Sequence, residues 1–276
     1  MDNTNKIKNF CLYATYSYFL IQQEVDVINE AVRYLKNEGL KPDVFVVLGS
    51  GLGDMVEEIV QKRVDIPFDE IPGFPGLTVK GHRGAISYVE TGKTNFMLYR
   101  GRKHLYEGEG AESVVFAHRV AVELGAKKGI LTCSAGSVNT QFRVGDIVQV
   151  TDYIDMQFVM PAPGFRTKRN LDHSTEDMTE IAREFDITLR KGVLMGLLGP
   201  TYETDAEVEM IRELGGDLAS MSTAPEINAL KQMGIPWLSF AVVTNIAGLM
   251  HEASHEEVLI EAGKASIKLL KMILSL

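Results

Sequence analysis

A chain of 276 residues is long enough to bury a substantial core, and 45% hydrophobic with 24% charged residues is the balance of a folded globular protein. That balance excludes a disordered chain, and 25 glycines without a strict period exclude a collagen-like one. The net charge of −9 offers no general attraction for nucleic acid or an anionic membrane, so any anion must be held by local donors.

Near the start, residues 10–21 are fairly apolar behind Lys6 and Lys8. Tyr, Thr and Ser break that run and no small-residue cleavage site follows, so a peripheral helix is expected rather than a signal peptide. Val25, Ile28, Val32 and Leu35 recur at helical spacing, and Gly39 closes the helix. A continuous apolar run at 44–48 reads as a buried strand. Gly49-Ser50-Gly51-Leu52-Gly53 then makes a turn into a short helix, where backbone N–H groups and the Ser50 hydroxyl can face an anion. It fits neither the dinucleotide fingerprint nor a Walker loop, which argues against a nicotinamide oxidoreductase. Further strands are expected at 85–89, 96–99, 130–132, 147–150, 193–197 and 237–243, and helices at 112–124, 205–214, 226–233 and 256–274. This alternation predicts an α/β protein with a largely parallel or mixed sheet.

Two stretches need separate treatment. Residues 232–250 carry no charge, but Gly234, Pro236, Ser239, Thr244, Asn245 and Gly248 interrupt them, so a buried strand and loop are expected rather than a membrane span. Residues 156–177 are polar and contain proline, and read as a surface excursion, not a boundary. One domain is expected over 1–276, with 1–39 as its N-terminal helical segment. Cys11 and Cys133 are too few and too far apart for a disulfide framework, which points to a cytoplasmic setting.

Several loops carry chemistry. Arg102 and His104, in Gly101-Arg102-Lys103-His104-Leu105-Tyr106-Glu107-Gly108, follow a strand and supply a guanidinium fork and an imidazole. His82 is a further candidate donor. Thr204 with Glu207 forms a capping box, leaving Glu203 and Tyr202 in the loop ahead of that helix. Thr223 with Glu226 fits the same pattern, with Ser222 beside the helix N-terminus, a favourable place for an anion. Asn245 can donate and accept through its amide. His251-Glu252-Ala253-Ser254-His255 matches a zinc-protease motif, but Ser254 with Glu257 predicts a helix starting at His255, leaving His251 outside it. No metal site is expected. Cys133 reads as a small buried residue.

Taken together and in this order, Gly49–Gly53, Gly81–Gly84, Gly101–Gly108, Ala135-Gly136, Gly199–Thr204, Met221–Glu226 and Thr244-Asn245 resemble the trimeric purine nucleoside phosphorylase family. The resemblance covers roughly residues 40–275. It implies a twisted mixed sheet, partly barrel-like, flanked by helices, the nucleoside phosphorylase fold, assembled as a homotrimer. It implies that phosphate cleaves a purine nucleoside to free base and ribose 1-phosphate, with no cofactor beyond that co-substrate. Carried over by motif, Ser50, His82, Arg102, His104, Ser222 and the Ser134 backbone N–H would hold phosphate. Tyr106, Met221 and His255 would contact the ribose. Tyr202 would pack on the base, with Glu203 and Asn245 at its edge; His104, Glu203 and Asn245 would be the catalytic group.

The residue types suit that reaction. Cleavage builds positive charge on the sugar, which phosphate beneath it stabilises before attacking C1′. Asn245 can donate toward N7 of the leaving purine. Glu203 can accept from N1–H, which favours a 6-oxopurine such as that of inosine or guanosine over adenine. The chain departs from the family at Cys133-Ser134-Ala135-Gly136-Ser137, where many members have Asn-Ala-Ala-Gly-Gly, and at Ser220, where Gly is usual. The first departure motivates one alternative, a nucleoside-binding homologue with impaired catalysis. The other alternative, a 5′-methylthioadenosine phosphorylase, usually presents Asp where this chain has Asn245.

Overall fold

β-Branched and aromatic runs settle side by side into one mixed sheet. The computed structural model describes residues 25–78, 83–157, 176–248 and 255–276, with side chains of the last segment from 262 onward. A helix α1 runs through 25–37, and Gly39 ends it at a φ of +85°, a left-handed turn that favours glycine. Next come β1 (Val44–Val47), α2 (Leu52–Ile59), β2 (Val64–Pro67), β3 (Ala85–Glu90), β4 (Asn95–Tyr99), α3 (Gly110–Glu123), β5 (Lys128–Ser137) and β6 (Ile147–Asp155). They are followed by α4 (Thr179–Glu184), β7 (Arg190–Gly196), α5 (Asp205–Glu213), β8 (Leu218–Ser220), α6 (Ala224–Met233), β9 (Trp237–Ile246) and α7 (His255–Ile273).

The strand order is β2-β3-β4-β1-β5-β8-β7-β6-β9, and β9 pairs again with β5. Five strands therefore close into a ring, and the other four extend it as an open wing. The ring is filled by a cluster with one or two members from each strand: Cys133 and Ala135, Leu218, Leu194, Val148 and Val150, Ala241 and Val243. Outside it, Phe45, Met97, Tyr99, Leu131 and Trp237 pack under α1, α3 and α6 through Leu35, Phe116, Val120 and Leu230. On the opposite face Leu48, Ile130, Leu238 and Phe240 pack under α2 and α7 through Leu52, Val56, Leu269 and Leu270. Burial on both faces explains why β1, β4 and β9 read as continuous apolar runs rather than alternating ones.

Ring closure corrects the expected strand lengths. β5 and β9 pair in parallel from Gly129 with Trp237 as far as Ser137 with Ile246, with a bulge between Ala135 and Gly136. Cys133–Ser137 and Thr244-Asn245 thus lie inside strands rather than in loops. The stretch 237–246 being a strand, the membrane reading falls, and no helix among the described residues is long and apolar enough to cross a membrane. The helix expected at 10–21, His82, His251 and the greater part of the 156–177 excursion lie outside the described residues. His255 opens α7, but its side chain also lies outside them.

Candidate active site

The turn after β1 is held against β5. Gly49 N–H donates to the Thr132 hydroxyl at 3.0 Å, and that hydroxyl donates to the Val47 carbonyl at 3.0 Å. Gly51 takes a φ of +83° and sends the chain into α2, leaving Ser50 exposed at the tip. The Ser134 hydroxyl reaches the Ser50 carbonyl at 3.4 Å. Ser220 Oγ lies 3.4 Å from the Ser134 carbonyl and 3.3 Å from Ser222 Oγ. Ser222 Oγ in turn accepts from Arg102 Nη1 at 3.1 Å. Ser50, Ser134, Ser222 and Arg102, drawn from four separate segments, are thereby brought together through backbone carbonyls, serine hydroxyls and the guanidinium, with Ser220 as the connecting member.

Three cations follow β4, and their surroundings divide their tasks. Arg100 donates to the Gly53 carbonyl and to Glu57, both at 2.8 Å. Lys103 is held by the Gly76 carbonyl at 2.7 Å, Glu107 at 3.0 Å and Glu109 at 2.7 Å. Arg102 alone turns toward the serine chain. It also donates to Thr223 Oγ1 at 3.1 Å, to the Val47 carbonyl at 3.2 Å and to the Thr132 carbonyl. His104 Nδ1 lies 3.4 Å from Glu107 Oε1, which also accepts the His104 backbone N–H at 2.7 Å. The His104 ring stacks on Tyr106 at 4.9 Å between centroids. Glu107 is partly buried, but its bonds to Thr78, His104 and Lys103 outweigh that and hold its pKa down at about 2.

α6 begins at this cluster, and the expected capping box at Thr223 and Glu226 is corrected. Thr223, at a φ of +62°, makes no side-chain cap; its hydroxyl meets Arg102 instead. Glu226 is fully buried and points to the same guanidinium, with Oε2 at 3.1 Å from Nη1. Cys133 is 1% exposed, as expected of a packing residue, and burial lifts its pKa against the opposing pull of Arg102 and of the Thr223 and Ser220 hydroxyls.

The other half of the site is two loops braced together. Gln157 Nε2 donates to the Leu197 carbonyl at 3.1 Å and to the Met221 carbonyl at 3.2 Å. Gly199 takes a φ of +71°, which favours glycine, and a Cβ there would stand 2.5 Å from Met221 Sδ, so the 197–204 loop lies close against Met221. Thr204 and Glu207 do form the expected capping box, with Thr204 N–H donating to Glu207 at 2.8 Å. Glu203 is half-buried ahead of it; burial raises its carboxyl pKa, opposed by its own backbone N–H and reinforced by Glu207. Tyr202 is 77% exposed, its ring face open in the single chain. Asn245 Oδ1 accepts from Thr244 at 3.1 Å, and its amide nitrogen lies 3.0 Å from where Gly136 would carry a Cβ. The turn after β9 comes back to α5, for a Cβ on Gly248 would lie 3.8 Å from Asp205 Oδ1.

An acidic chain has thus gathered oxyanion donors at the N-terminus of a ten-residue helix, next to loops bearing a carboxylate and an amide. Such a set can hold a phosphate on one side and a polar heterocycle on the other. Residues 43–276 match the model of the phosphorylase superfamily. Purine nucleoside phosphorylase 1 of Bacillus subtilis is 34% identical over 263 residues, covering 90% of this chain and 96% of that protein. Two solved structures share the architecture. Schistosoma purine nucleoside phosphorylase in complex with hypoxanthine has a TM-score of 0.78 at 25% identity, covering 90% of this chain and 95% of its own. Isoform 2 from Schistosoma mansoni, in complex with cytosine and ribose-1-phosphate, has a TM-score of 0.79 at 30% identity, covering 90% and 94%. The chain belongs to the purine nucleoside phosphorylase family within that superfamily and is an enzyme of this kind, a pentosyltransferase.

Sequence reasoning missed Glu226, His118, Thr132 and Gln157 as members of the site. For Glu226 the helix-start pattern supplied a sufficient local explanation. For the other three the sequence carries no local signal, since each reaches the site only through the packing of distant segments.

Proposed function

We propose that the chain catalyses phosphorolysis of 6-oxopurine ribonucleosides and deoxyribonucleosides, inosine and guanosine foremost, to free base and the corresponding sugar 1-phosphate. The meeting of the Ser50, Ser134, Ser220 and Ser222 segments at the Arg102 guanidinium supports this reading, since it brings hydroxyl and guanidinium donors to one place in a chain whose overall charge repels a dianion. Phosphate is held by Ser50, Arg102, His104, Ser222 and the Ser134 backbone, and His82 is a further candidate donor to it. Tyr106, Met221 and His255 seat the ribose. Tyr202, Glu203 and Asn245 receive the base.

Phosphate oxygen forms the new bond to C1′ as the glycosidic C–N bond breaks, and the bonding pair leaves with the purine. Asn245 donates to N7 as that charge develops, and Glu203 accepts N1–H. Catalysis is electrostatic positioning and needs no cofactor beyond the co-substrate. The enzyme works in the cytoplasm, in purine salvage, as a homotrimer. Hypoxanthine, the base in the Schistosoma complex, is a 6-oxopurine and supports the assignment.

Initial rates on inosine and adenosine at equal concentration test the base preference. Inosine is expected to lead in kcat/KM by on the order of 10²-fold or more, because adenine leaves the Glu203 carboxylate without its N1–H partner. Equal turnover of the two nucleosides would overturn it.

A further inference from the structure

A glutamate three residues into a helix ordinarily bonds back to the capping residue. Glu226 is also drawn inward, where the Thr223 backbone N–H and Arg102 both favour its charged form and neither oxygen reaches solvent. Its Oε2 is 3.1 Å from Arg102 Nη1, and its Oε1 is 3.6 Å from His118 Nε2. The His118 ring, itself 1% exposed, stands edge-on to Phe45 at 5.6 Å. Burial and the Arg102 charge hold His118 down at about 3, while burial raises the Glu226 carboxyl against the opposing pull of Arg102 and of the Thr223 backbone N–H, so of the two it is Glu226 that answers the guanidinium. A buried ion pair is seldom needed for stability, since apolar residues of similar volume often serve as well. What the pair does fix is direction. A guanidinium presents its donors in one rigid plane. Here Nη2 donates to the Val47 and Thr132 carbonyls and Nη1 to the Ser222 and Thr223 hydroxyls, while Glu226 Oε2 faces Nη1 at 3.1 Å as an ion pair.

We propose that Glu226 is a positioning residue for the phosphate co-substrate: it fixes the plane of Arg102 against Ser222, with His118 packed behind it, so that the oxyanion meets pre-aligned donors. The proposal rests on the phosphorolysis reading. Charge counting alone points the other way, for removing a nearby carboxylate should strengthen attraction for phosphate. The two effects are separable by experiment.

Inorganic phosphate binding is measured by calorimetry, and inosine phosphorolysis is measured with each substrate varied, for the wild type, Glu226→Gln and Glu226→Asp. Glu226→Gln is expected to weaken phosphate, in both Kd and KM, at least about tenfold, while the inosine KM stays within about twofold, as loss of alignment dictates. Glu226→Asp, which keeps the charge on a shorter arm, is expected to recover part of the loss. Phosphate binding that is unchanged or tighter in Glu226→Gln would overturn the proposal, as would a rise in both KM values alike. Should Glu226→Gln fail to fold, Glu226→Asp decides: weaker phosphate at constant inosine KM supports the role, and unchanged phosphate contradicts it. A wild type that binds phosphate yet leaves inosine intact would overturn the functional reading, and the Kd comparison would still decide the role of Glu226.

Discussion

Glu203 has a carboxyl whose proton is held more tightly in the folded chain than in the unfolded one, because burial disfavours its charge. With the folded pKa raised, stability is whole below the unfolded value and is lost as pH rises through the folded one. Above that window the ionised side chain therefore works against folding. Glu203→Gln is expected to raise the melting temperature at pH 7 by about 1–3 °C and to lower inosine kcat/KM by about tenfold or more. Thermal melting and initial rates check both; an unchanged or lower melting temperature would contradict the electrostatic part. The placing of Arg102, Ser222 and Glu203 in short loops was legible in the sequence because each lies between elements of opposite period. Glu226 was not, because the local pattern suggests a capping box there, whereas packing sets the residue against Arg102 and Thr223 makes no side-chain cap.

At the scale of elements, the site depends on how closely the turn after β1 approaches β5. A Cβ on Gly49 would lie 2.9 Å from both the Cys133 Cα and the Thr132 carbonyl, and backbone cannot give way as a side chain can. Gly51 has nothing within 4 Å of its Cβ position, and its only demand is a φ of +83°. Gly49→Ala is expected to destabilise the chain by about 2–3 kcal/mol and Gly51→Ala by about 1 kcal/mol. Chemical denaturation of the two variants checks the order, and a larger loss for Gly51→Ala would contradict the packing argument. The same neighbourhood shows why strand ends were hard to read. β5 and β9 continue past their apolar runs through Ser134, Ser137, Thr244 and Asn245 because each pairs with the other across the closed ring. β2 begins with the exposed Val64 and Asp65, and β8 has only three residues, so neither displays a continuous run or a period.

Over the whole molecule, alternating apolar periods sufficed to place the chain among α/β proteins, since local patterning decides which segments are strands and which are helices. Closure of five strands into a ring follows from pairings between distant segments, and no local pattern encodes it; the likeness of motifs to a known family supplied that expectation. The net negative charge and the buried Arg102 belong together at this scale, for an anion drawn to an acidic chain must be held by local donors such as that guanidinium. In a phosphorylase the phosphate is a reactant rather than a bystander. The most direct test is hypoxanthine release from inosine in buffers with and without inorganic phosphate, with the sugar product identified. Phosphorolysis predicts release only with phosphate present, matched mole for mole by ribose 1-phosphate. Equal release without phosphate, or free ribose as the product, would contradict it.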